Sequence, residues 1–303
     1  MASLKTFRKE MEALMDACKD MPQDDMLLTY NGILFPKLIC NPDTFKAMES
    51  FQLREDDLLL ASYPKCGSNW THQILKDLLY AVYKKDESTI GIPVLEFGLP
   101  DKFEKHNQEP SPRVFSTHLQ YDNVPKSVFA KKFKVLVVFR NPKDTAVSFY
   151  HFYNNNPGLP NYSSWDTFFK DFISGNVVFG SYFDYAVKWN KHIDNENALI
   201  MTFEEMKEDL YKAVKKISSF FGYSLTEEQV QIISDKGTFK SMKAKSDETH
   251  GYFVKVVFRK GDVGDWKNHF SEAQSKEMDA KFEEYLAGTK LGNLIKYNIY
   301  CKA

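Results

Sequence analysis

Four short apolar runs, separated by longer helical patterns, constrain the fold of this chain more than any other feature. The runs are DLLLASY (57–63), RVFSTHL (113–119), KVLVVFR (134–140) and ALIMTF (198–203). Short runs rich in Leu, Val and Phe are typical of buried strands. Strands that alternate with helices form parallel sheets that helices cover. The sequence therefore predicts an α/β fold with a central parallel sheet flanked by helices on both faces.

The distribution of apolar residues bears on the number of domains. A chain of 303 residues could form one large domain or two small ones. Apolar runs continue at similar density from about residue 57 to 300, with no internal repeat, low-complexity tract or Pro/Gly/Ser-rich linker. We therefore expect a single domain over residues 1–303.

Charge and cysteine content exclude several classes of function. The 40 Lys and Arg nearly balance the 41 Asp and Glu, so no global field recruits nucleic acid or anionic membrane. The charged N-terminus lacks an apolar signal region, and no stretch approaches the roughly 18 apolar residues of a membrane span. We expect a cytoplasmic protein that binds neither nucleic acid nor membrane. The cysteines form no CxxC pair, which favours reduced thiols over a zinc site or disulfides; they are Cys18, Cys40, Cys66 and Cys301.

The loop SYPKCGSNW at 62–70 follows the first apolar run and precedes a helical stripe of Trp70, Ile74, Leu78 and Val82. A helix N-terminus at the carboxyl edge of a parallel sheet offers free N–H groups to an anion. With Lys65 added, the loop resembles a phosphate cradle. It is not a GxxxxGK[ST] loop, because the lysine precedes the glycine. The alternative is an ordinary turn with a solvated lysine.

A second strand-to-helix turn begins at Arg140. Asn141, Pro142 and Asp144 are typical of an N-cap, a first helical position and a first-turn acid. Arg140 and Ser148 are two helical turns apart, so a guanidinium and a hydroxyl can face the same anion. The alternative for Arg140 is a surface ion pair with Asp144.

On these segments the chain resembles the cytosolic sulfotransferases, which transfer a sulfuryl group from 3'-phosphoadenosine 5'-phosphosulfate (PAPS) to hydroxyls or amines. It looks closest to the vertebrate branch called family six B, whose acceptors include iodothyronines such as thyroxine. The resemblance covers nearly the whole chain. Its anchors are YPKCGSNW (63–70), STHL (116–119), FRNPKDTAVSFYHFY (139–153), FEEMKED (203–209), TFKSM (238–242) and RKGDVGDWKNHF (259–270).

The resemblance implies how the chemistry is shared. His118 would be the base that deprotonates the acceptor, since a neutral imidazole accepts protons at cellular pH. Lys65 would neutralise the leaving phosphate, and Ser148 would hold Lys65 back until the acceptor arrives. The structural alternative for His118 is a histidine satisfied at a strand end. No metal is implied, because a sulfuryl group carries less negative charge than a phosphoryl group.

The resemblance also implies how PAPS and its product, 3',5'-adenosine bisphosphate (PAP), are bound. Arg140 and Ser148 would hold the 3'-phosphate, and Trp70 and Phe239 would sandwich the adenine. Phe152 would line the pocket of a small hydrophobic acceptor. The complete implied nucleotide-binding set is Lys65, Cys66, Gly67, Ser68, Asn69, Trp70, Arg140, Ser148, Phe203, Thr238, Phe239, Arg259, Lys260 and Gly261.

The sequence departs from the family's pattern at four places. Ser116 replaces a lysine that many relatives have before THL, and Phe203 replaces an adenine-contacting tyrosine. The segment between Met242 and Arg259, a lid in the family, is shorter than usual. The dimerisation motif is altered, which predicts a monomer or a weak homodimer; it reads Lys267, Ser271, Glu272 and Lys276.

Two other functions stay open at this stage. A Mg²⁺-dependent small-molecule kinase could use SYPKCGSNW as a degenerate P-loop, although the missing GK[ST] counts against it. A nucleotide binder without turnover would fit Ser116, although Lys65 and His118 favour catalysis. No pattern fixes the loops at about 90–106, 150–160 and 243–258 that shape the acceptor pocket.

Overall fold

The computed structural model describes residues 18, 20–84, 93–129, 132–244 and 259–302. Within these residues an antiparallel pair, β1 (Leu27–Tyr30) and β2 (Ile33–Pro36), precedes the main sheet. The main sheet is parallel, with the spatial order β4-β3-β5-β6. Its strands are β3 (Leu58–Ser62), β4 (Val114–Thr117), β5 (Lys134–Phe139) and β6 (Ala198–Thr202). These strands are the four apolar runs, as predicted.

Helices connect and cover the strands. The helices of the described residues are α1 (Pro42–Met48), α2 (Ser68–Tyr83), α3 (Lys102–Gln108), α4 (Pro142–Asn155), α5 (Trp165–Ser174), α6 (Tyr182–Asn190), α7 (Phe203–Glu208), α8 (Leu210–Phe221), α9 (Glu227–Lys236), α10 (Phe239–Ala244), α11 (Glu272–Tyr285), α12 (Lys290–Ile295) and α13 (Tyr297–Tyr300). Short 3₁₀ helices span Gln23–Asp25, Tyr121–Asn123, Lys126–Phe129 and Asp265–Asn268.

Alternate residues of each strand enter separate hydrophobic clusters, because successive strand side chains point to opposite faces. Leu58 and Leu60 of β3 pack in one cluster, together with residues of α2, α8 and α9. Leu59 and Ala61 pack in the other, together with residues of α4, α5 and α6. Helices therefore cover both faces of the sheet, which confirms the predicted fold class.

The ends of α2 and α4 form as their sequences predict. The apolar stripe of α2 faces the sheet, with Ile74 and Leu78 fully buried. At the start of α4, Asn141 Oδ1 accepts a hydrogen bond from the Asp144 N–H at 2.8 Å, and Pro142 occupies the first turn. Both helices thus begin directly at the carboxyl edge of the sheet, where they point their N-termini toward one volume.

Among the described residues, none of the helices has the length and hydropathy of a membrane span. The four cysteines are buried free thiols.

Candidate active site

Each strand of the main sheet ends beside one residue of the candidate site. Lys65 follows the central strand β3, and His118 follows its neighbour β4. Arg140 follows β5 on the other side, and Phe203 follows β6. Because parallel strands end at the same edge, residues up to 138 positions apart converge on one cleft (Lys65 to Phe203).

The loop between β3 and α2 is held in an unusual backbone conformation. Lys65 has φ of 70° and Gly67 has φ of 102°, both in the left-handed region. A Cβ on Gly67 would lie 3.0 Å from the Phe203 ring, so the loop passes close to this aromatic side chain. Ser68 and Asn69 begin α2, where the first N–H groups have no acceptor within the helix. These features are compatible with anion binding, and the predicted phosphate cradle stays a prediction.

The cysteine of this loop is a buried, neutral thiol. Cys66 is fully buried, and its Sγ lies 3.7 Å from the Thr145 hydroxyl. Burial raises the pKa of the Cys66 thiol to about 12. The thiol therefore stays neutral near pH 7 and does not repel an anion bound in the loop.

Lys65 lies in an electropositive environment. Its Nζ lies 4.4 Å from the centroid of the Phe152 ring, which brings the predicted acceptor-pocket residue beside the predicted acid. Burial, together with the cations Arg140 and Arg259, lowers the pKa of Lys65 to about 7. A cluster of like charges that depresses the pKa of one member is poised to receive an anion.

Arg140 is 7% exposed and makes few hydrogen bonds for a buried guanidinium. Its Nη2 donates to the Asp262 carbonyl at 2.8 Å, and its Nη1 lies 3.5 Å from the Lys65 carbonyl. Its guanidinium carbon lies 4.5 Å from the Phe203 ring centroid. Its Nε has no hydrogen-bond partner in the described residues. A buried donor without a partner marks a place where a ligand acceptor fits.

The alternative ion pair between Arg140 and Asp144 is wrong. Asp144 instead accepts the backbone N–H groups of Gly264 and Trp266, at 2.7 and 3.0 Å. The carboxylate thus docks the late basic segment, residues 259–270, onto the start of α4. This role was not predicted, because the first-turn acid meets partners more than 100 positions away and no local pattern marks them.

The late basic segment brings two further cations to the cleft. Arg259 Nη1 and Lys260 Nζ contact the Asp265 carboxylate at 2.5 and 2.6 Å. Burial alone would raise the pKa of Asp265, but hydrogen bonds from Lys260, Asn268 and Arg259 hold this pKa well below its usual range. Asp265 therefore stays ionised and organises both cations. No sequence pattern assigned a role to Asp265.

Gly261 meets Phe239 at the same place. Gly261 has φ of 67°, and a Cβ there would lie 2.2 Å from the Phe239 ring. Only glycine lets the backbone pass this ring. The Thr238 hydroxyl is engaged at the start of α10, where it bonds the Asp235 carbonyl at 3.0 Å and Ser241 Oγ at 2.8 Å. Its predicted contact with phosphate stays a prediction.

Trp70 and Phe203 form an aromatic corner beside the phosphate cradle. Their ring centroids are 5.1 Å apart, with the planes inclined by 69°. Trp70 Nε1 donates to the Gly237 carbonyl at 2.7 Å, which ties the indole to the chain just before Phe239. Phe203 thus presents an aromatic surface at the position where the family resemblance leads one to expect a tyrosine.

His118 is fixed at the end of β4 by two hydrogen bonds. Its Nδ1 lies 2.8 Å from the Ser62 carbonyl oxygen, and its backbone N–H donates to Glu96 Oε1 at 2.7 Å. A carbonyl only accepts, so Nδ1 carries the proton and Nε2 of the neutral ring is the acceptor. The rings of Phe179 and Phe97 flank the imidazole, with centroids 5.2 and 6.1 Å away. Both rings lie outside the motifs that the sequence analysis used.

The two serines of interest differ in their surroundings. Ser148 is half-buried on α4, and its hydroxyl has no hydrogen bond to any described residue. Ser116 is buried in β4, and its Oγ likewise lacks a partner in the part of the chain that the structure describes. Most of the predicted lid, residues 245–258, lies outside the described residues. So do residues 90–92 of the first pocket loop.

The altered dimerisation segment forms contacts within the chain. Ser271 caps α11 by accepting the Gln274 N–H at 3.2 Å. Lys276 Nζ lies 2.6 Å from Glu272 Oε1, and both side chains are exposed. The predicted oligomeric state stays a prediction. Among the described residues, no group of three or more His, Cys, Asp or Glu side chains is placed to hold a metal ion.

Comparison with known proteins decides the family. The sequence profile of the sulfotransferase domain matches residues 55–290. The chain belongs to the sulfotransferase family. Sulfotransferase 6B1 of Mus musculus is 50% identical over 303 residues and covers 100% of both chains. Sulfotransferase 6B1 of Homo sapiens is 49% identical over 302 residues, with the same coverage. The predicted resemblance to the family six B branch is confirmed.

A solved structure supports the fold of this sulfotransferase. Mouse sulfotransferase SULT7A1, in a complex with PAP, superposes with a TM-score of 0.81 at 34% identity. The match covers 90% of this chain and 99% of that one. The predicted activity class, PAPS-dependent sulfuryl transfer to a small acceptor, is thereby confirmed. The alternative of a Mg²⁺-dependent kinase is removed.

Proposed function

We propose that this sulfotransferase transfers the sulfuryl group of PAPS to the hydroxyl of a bulky phenol, with His118 on the acceptor side and Lys65 on the leaving-group side. The observation that carries the proposal is the hydrogen bond from His118 Nδ1 to the Ser62 carbonyl at 2.8 Å. Ser62 ends the strand that leads into the Lys65 loop. The bond therefore fixes the base relative to the acid and leaves Nε2 as the proton acceptor.

His118 and Lys65 act at opposite ends of the transfer. His118 Nε2 accepts the proton of the acceptor hydroxyl as its oxygen bonds to sulfur. The Lys65 ammonium neutralises the charge that develops on the phosphate oxygen as the sulfur–oxygen bond to the leaving group breaks. A pKa near 7 makes the protonated lysine a better proton donor than an ordinary lysine. Ser148 is placed on α4 with a hydroxyl free to contact Lys65 or phosphate.

The cleft fits the nucleotide in three respects. The unpartnered Nε of Arg140 fits an oxygen of the 3'-phosphate, to which Ser148, Arg259 and Lys260 add charge and a hydroxyl. Residues 65–69 and the N-terminus of α2 fit the 5'-phosphosulfate. The rings of Trp70, Phe203 and Phe239 surround the place for adenine, and PAP leaves as the product.

Aromatic side chains favour a planar acceptor. Phe97 and Phe179 flank His118, and Phe152 lies against Lys65. A pocket with such walls binds phenolic rings by apolar burial and ring stacking. Since the sequence between Met242 and Arg259, which the resemblance identifies with the family's lid, is short, we propose a preference for large phenols, iodothyronines such as thyroxine included, over compact ones.

Sulfation by the purified full chain tests this function. PAPS is supplied with EDTA, and the acceptors are thyroxine, a hydroxysteroid and 4-nitrophenol. We expect sulfated thyroxine with a kcat/KM above that of 4-nitrophenol, together with stoichiometric PAP. The highest kcat/KM with the smallest phenol would overturn the acceptor class. PAP binding without turnover on any of the three acceptors would likewise overturn the proposed acceptor class.

A further inference from the structure

The carboxylate of Glu96 lies next to the proposed base but outside the mechanism described so far. Glu96 is 0% exposed. Its Oε1 accepts the His118 backbone N–H at 2.7 Å, and its Oε2 accepts the Thr117 hydroxyl at 2.9 Å. A buried carboxylate is costly unless its oxygens are paired. Here one oxygen binds Thr117, the last residue of β4, and the other binds His118, which follows it.

The segment that carries Glu96 is itself fastened by a lysine. Lys102 Nζ donates to the carbonyls of Val94 and Leu95, at 2.9 and 2.6 Å, and also to that of Phe97. One ammonium thus gathers three carbonyls around Glu96. Burial lowers the pKa of Lys102 to about 8, although Glu96 opposes that shift. The Lys102 ammonium and the Glu96 carboxylate therefore stabilise each other electrostatically in a partly buried environment.

Backbone bonds attach this segment to β4. The Leu95 N–H donates to the Ser116 carbonyl at 2.8 Å, and the Ser116 N–H donates to the Pro93 carbonyl at 3.0 Å. Phe97, which follows Glu96, lies beside the His118 ring. The segment and the end of β4 thus form one hydrogen-bonded unit. This unit contains the Phe97 ring beside His118 and the Glu96 carboxylate that accepts the His118 backbone N–H.

We propose that Glu96, held by Lys102, is a positioning residue for His118. Glu96 fixes the backbone at Thr117 and His118, so that the imidazole reaches the Ser62 carbonyl and presents Nε2 to the acceptor. In this role Glu96 contacts neither PAPS nor the phenol. The inference rests on the proposed role of His118 as the base.

A carboxylate suits this position better than an amide. The Thr117 hydroxyl already accepts the Leu119 N–H at 3.1 Å, so its own hydrogen must go to another acceptor. Glu96 offers one oxygen to that hydrogen and one to the His118 N–H. Glutamine has a single acceptor oxygen, so Glu96→Gln leaves one donor facing an NH₂ group. The change keeps the volume but weakens the hold on β4.

The experiment compares turnover with nucleotide binding in full-length variants. Glu96→Gln should lower kcat for an un-ionised phenol about tenfold, because a small misplacement of a catalytic group is costly. The Kd of PAP should change less than twofold. A polyfluorinated phenol, which is already ionised, should lose much less, because it does not need the base. The control is Asp171→Asn on α5, which replaces a carboxylate that accepts a hydrogen bond from the Tyr162 hydroxyl. It should alter neither kcat for either phenol nor the Kd of PAP.

A double-mutant cycle with His118→Ala separates the positioning role of Glu96 from the assignment of His118 as the base. If Glu96 acts through His118, Glu96→Gln should cost no further turnover in the His118→Ala background. An equal loss in both backgrounds, or a PAP Kd that weakens as much as kcat falls, would overturn the positioning role. Wild-type turnover in His118→Ala itself would instead overturn the base assignment. Lys102→Met should reproduce the pattern of Glu96→Gln with a smaller loss, and it serves if Glu96 variants fold poorly.

Discussion

His118 Nδ1 lies 2.8 Å from the carbonyl oxygen of Ser62, the last residue of β3 before the loop that carries Lys65. This bond joins the ends of two neighbouring parallel strands. It sets the tautomer of the imidazole, and it ties the proposed base to the strand that leads to the proposed acid, Lys65. The geometry of the proposed reaction therefore depends on strand pairing as much as on the two side chains.

Removal of the base should affect chemistry and spare nucleotide binding. We expect His118→Ala to lower kcat for un-ionised phenols by about 10²- to 10⁴-fold. The Kd of PAP should stay nearly unchanged, because the proposed reaction places His118 on the acceptor side. Steady-state kinetics and calorimetry measure the two quantities. Sulfation at the wild-type rate would contradict the assignment.

Nucleotide binding should be coupled to protonation of Lys65. The free protein holds the pKa of Lys65 at about 7, and the phosphates of PAP should raise it by their negative charge. Between these two pKa values, binding takes up a proton, so PAP affinity should fall as pH rises above 7. Calorimetry at about pH 8 in buffers of different ionisation enthalpy should show uptake approaching one proton per PAP.

Two variants complete that measurement. Lys65→Met should abolish this contribution to proton uptake, whereas Lys170→Met, at an exposed position of α5, should keep it. Uptake that persists in Lys65→Met would assign the proton to another group.

Recognition of the 3'-phosphate should depend on Arg140. PAP should bind tightly in EDTA and AMP much more weakly, because AMP lacks the phosphate that we propose the unpartnered Nε binds. Arg140→Ala should cost about 2–3 kcal/mol of PAP affinity, as a desolvated charge-assisted contact is lost. AMP binding should hardly change in this variant. Thermal shifts that are equal for AMP and PAP would refute the assignment.

The close approach of Gly261 to Phe239 gives a prediction with a matched control. Gly261→Ala adds a Cβ 2.2 Å from the Phe239 ring, so the ring or the backbone must move. Gly288 has a similar φ of 72°, but a Cβ there meets nothing within 4 Å. Both substitutions should cost about 1–2 kcal/mol of folding stability through left-handed strain. Only Gly261→Ala should weaken PAP binding, by about tenfold or more in calorimetry. Similar losses of PAP affinity in both variants would argue against a role for this contact.

The segment from Lys267 to Lys276 predicts a monomer at micromolar concentration. Glu272 and Lys276 satisfy each other on α11, so this surface presents a polar pair where the family pattern has an apolar centre. Light scattering after size exclusion should give the mass of one chain. A stable dimer that Glu272→Arg dissolves would show that the segment still pairs.

Local patterns predicted the parts of the site, because strands, helix caps and phosphate loops depend on neighbouring residues. The four apolar runs became the four parallel strands, and Asn141 and Pro142 began α4 as expected. The family motifs placed Lys65, His118 and Arg140 at strand ends. The strands and the start of α4 follow from side-chain periodicity and turn chemistry between neighbouring residues, whereas the roles of Lys65, His118 and Arg140 are implied by the resemblance to the family.

Contacts between distant segments required the tertiary structure. The strand order β4-β3-β5-β6 decides that His118 meets Ser62, and docking of the late basic segment decides that Asp144 binds Gly264. Glu96 lies in a segment with no motif, so its role could not be predicted from the sequence. The role follows from the contacts of its two oxygens with Thr117 and His118. The sequence thus determined which elements form and which residues end them. Only the folded chain decided which ends meet, because those partners are selected by packing across the sheet and not by any local signal.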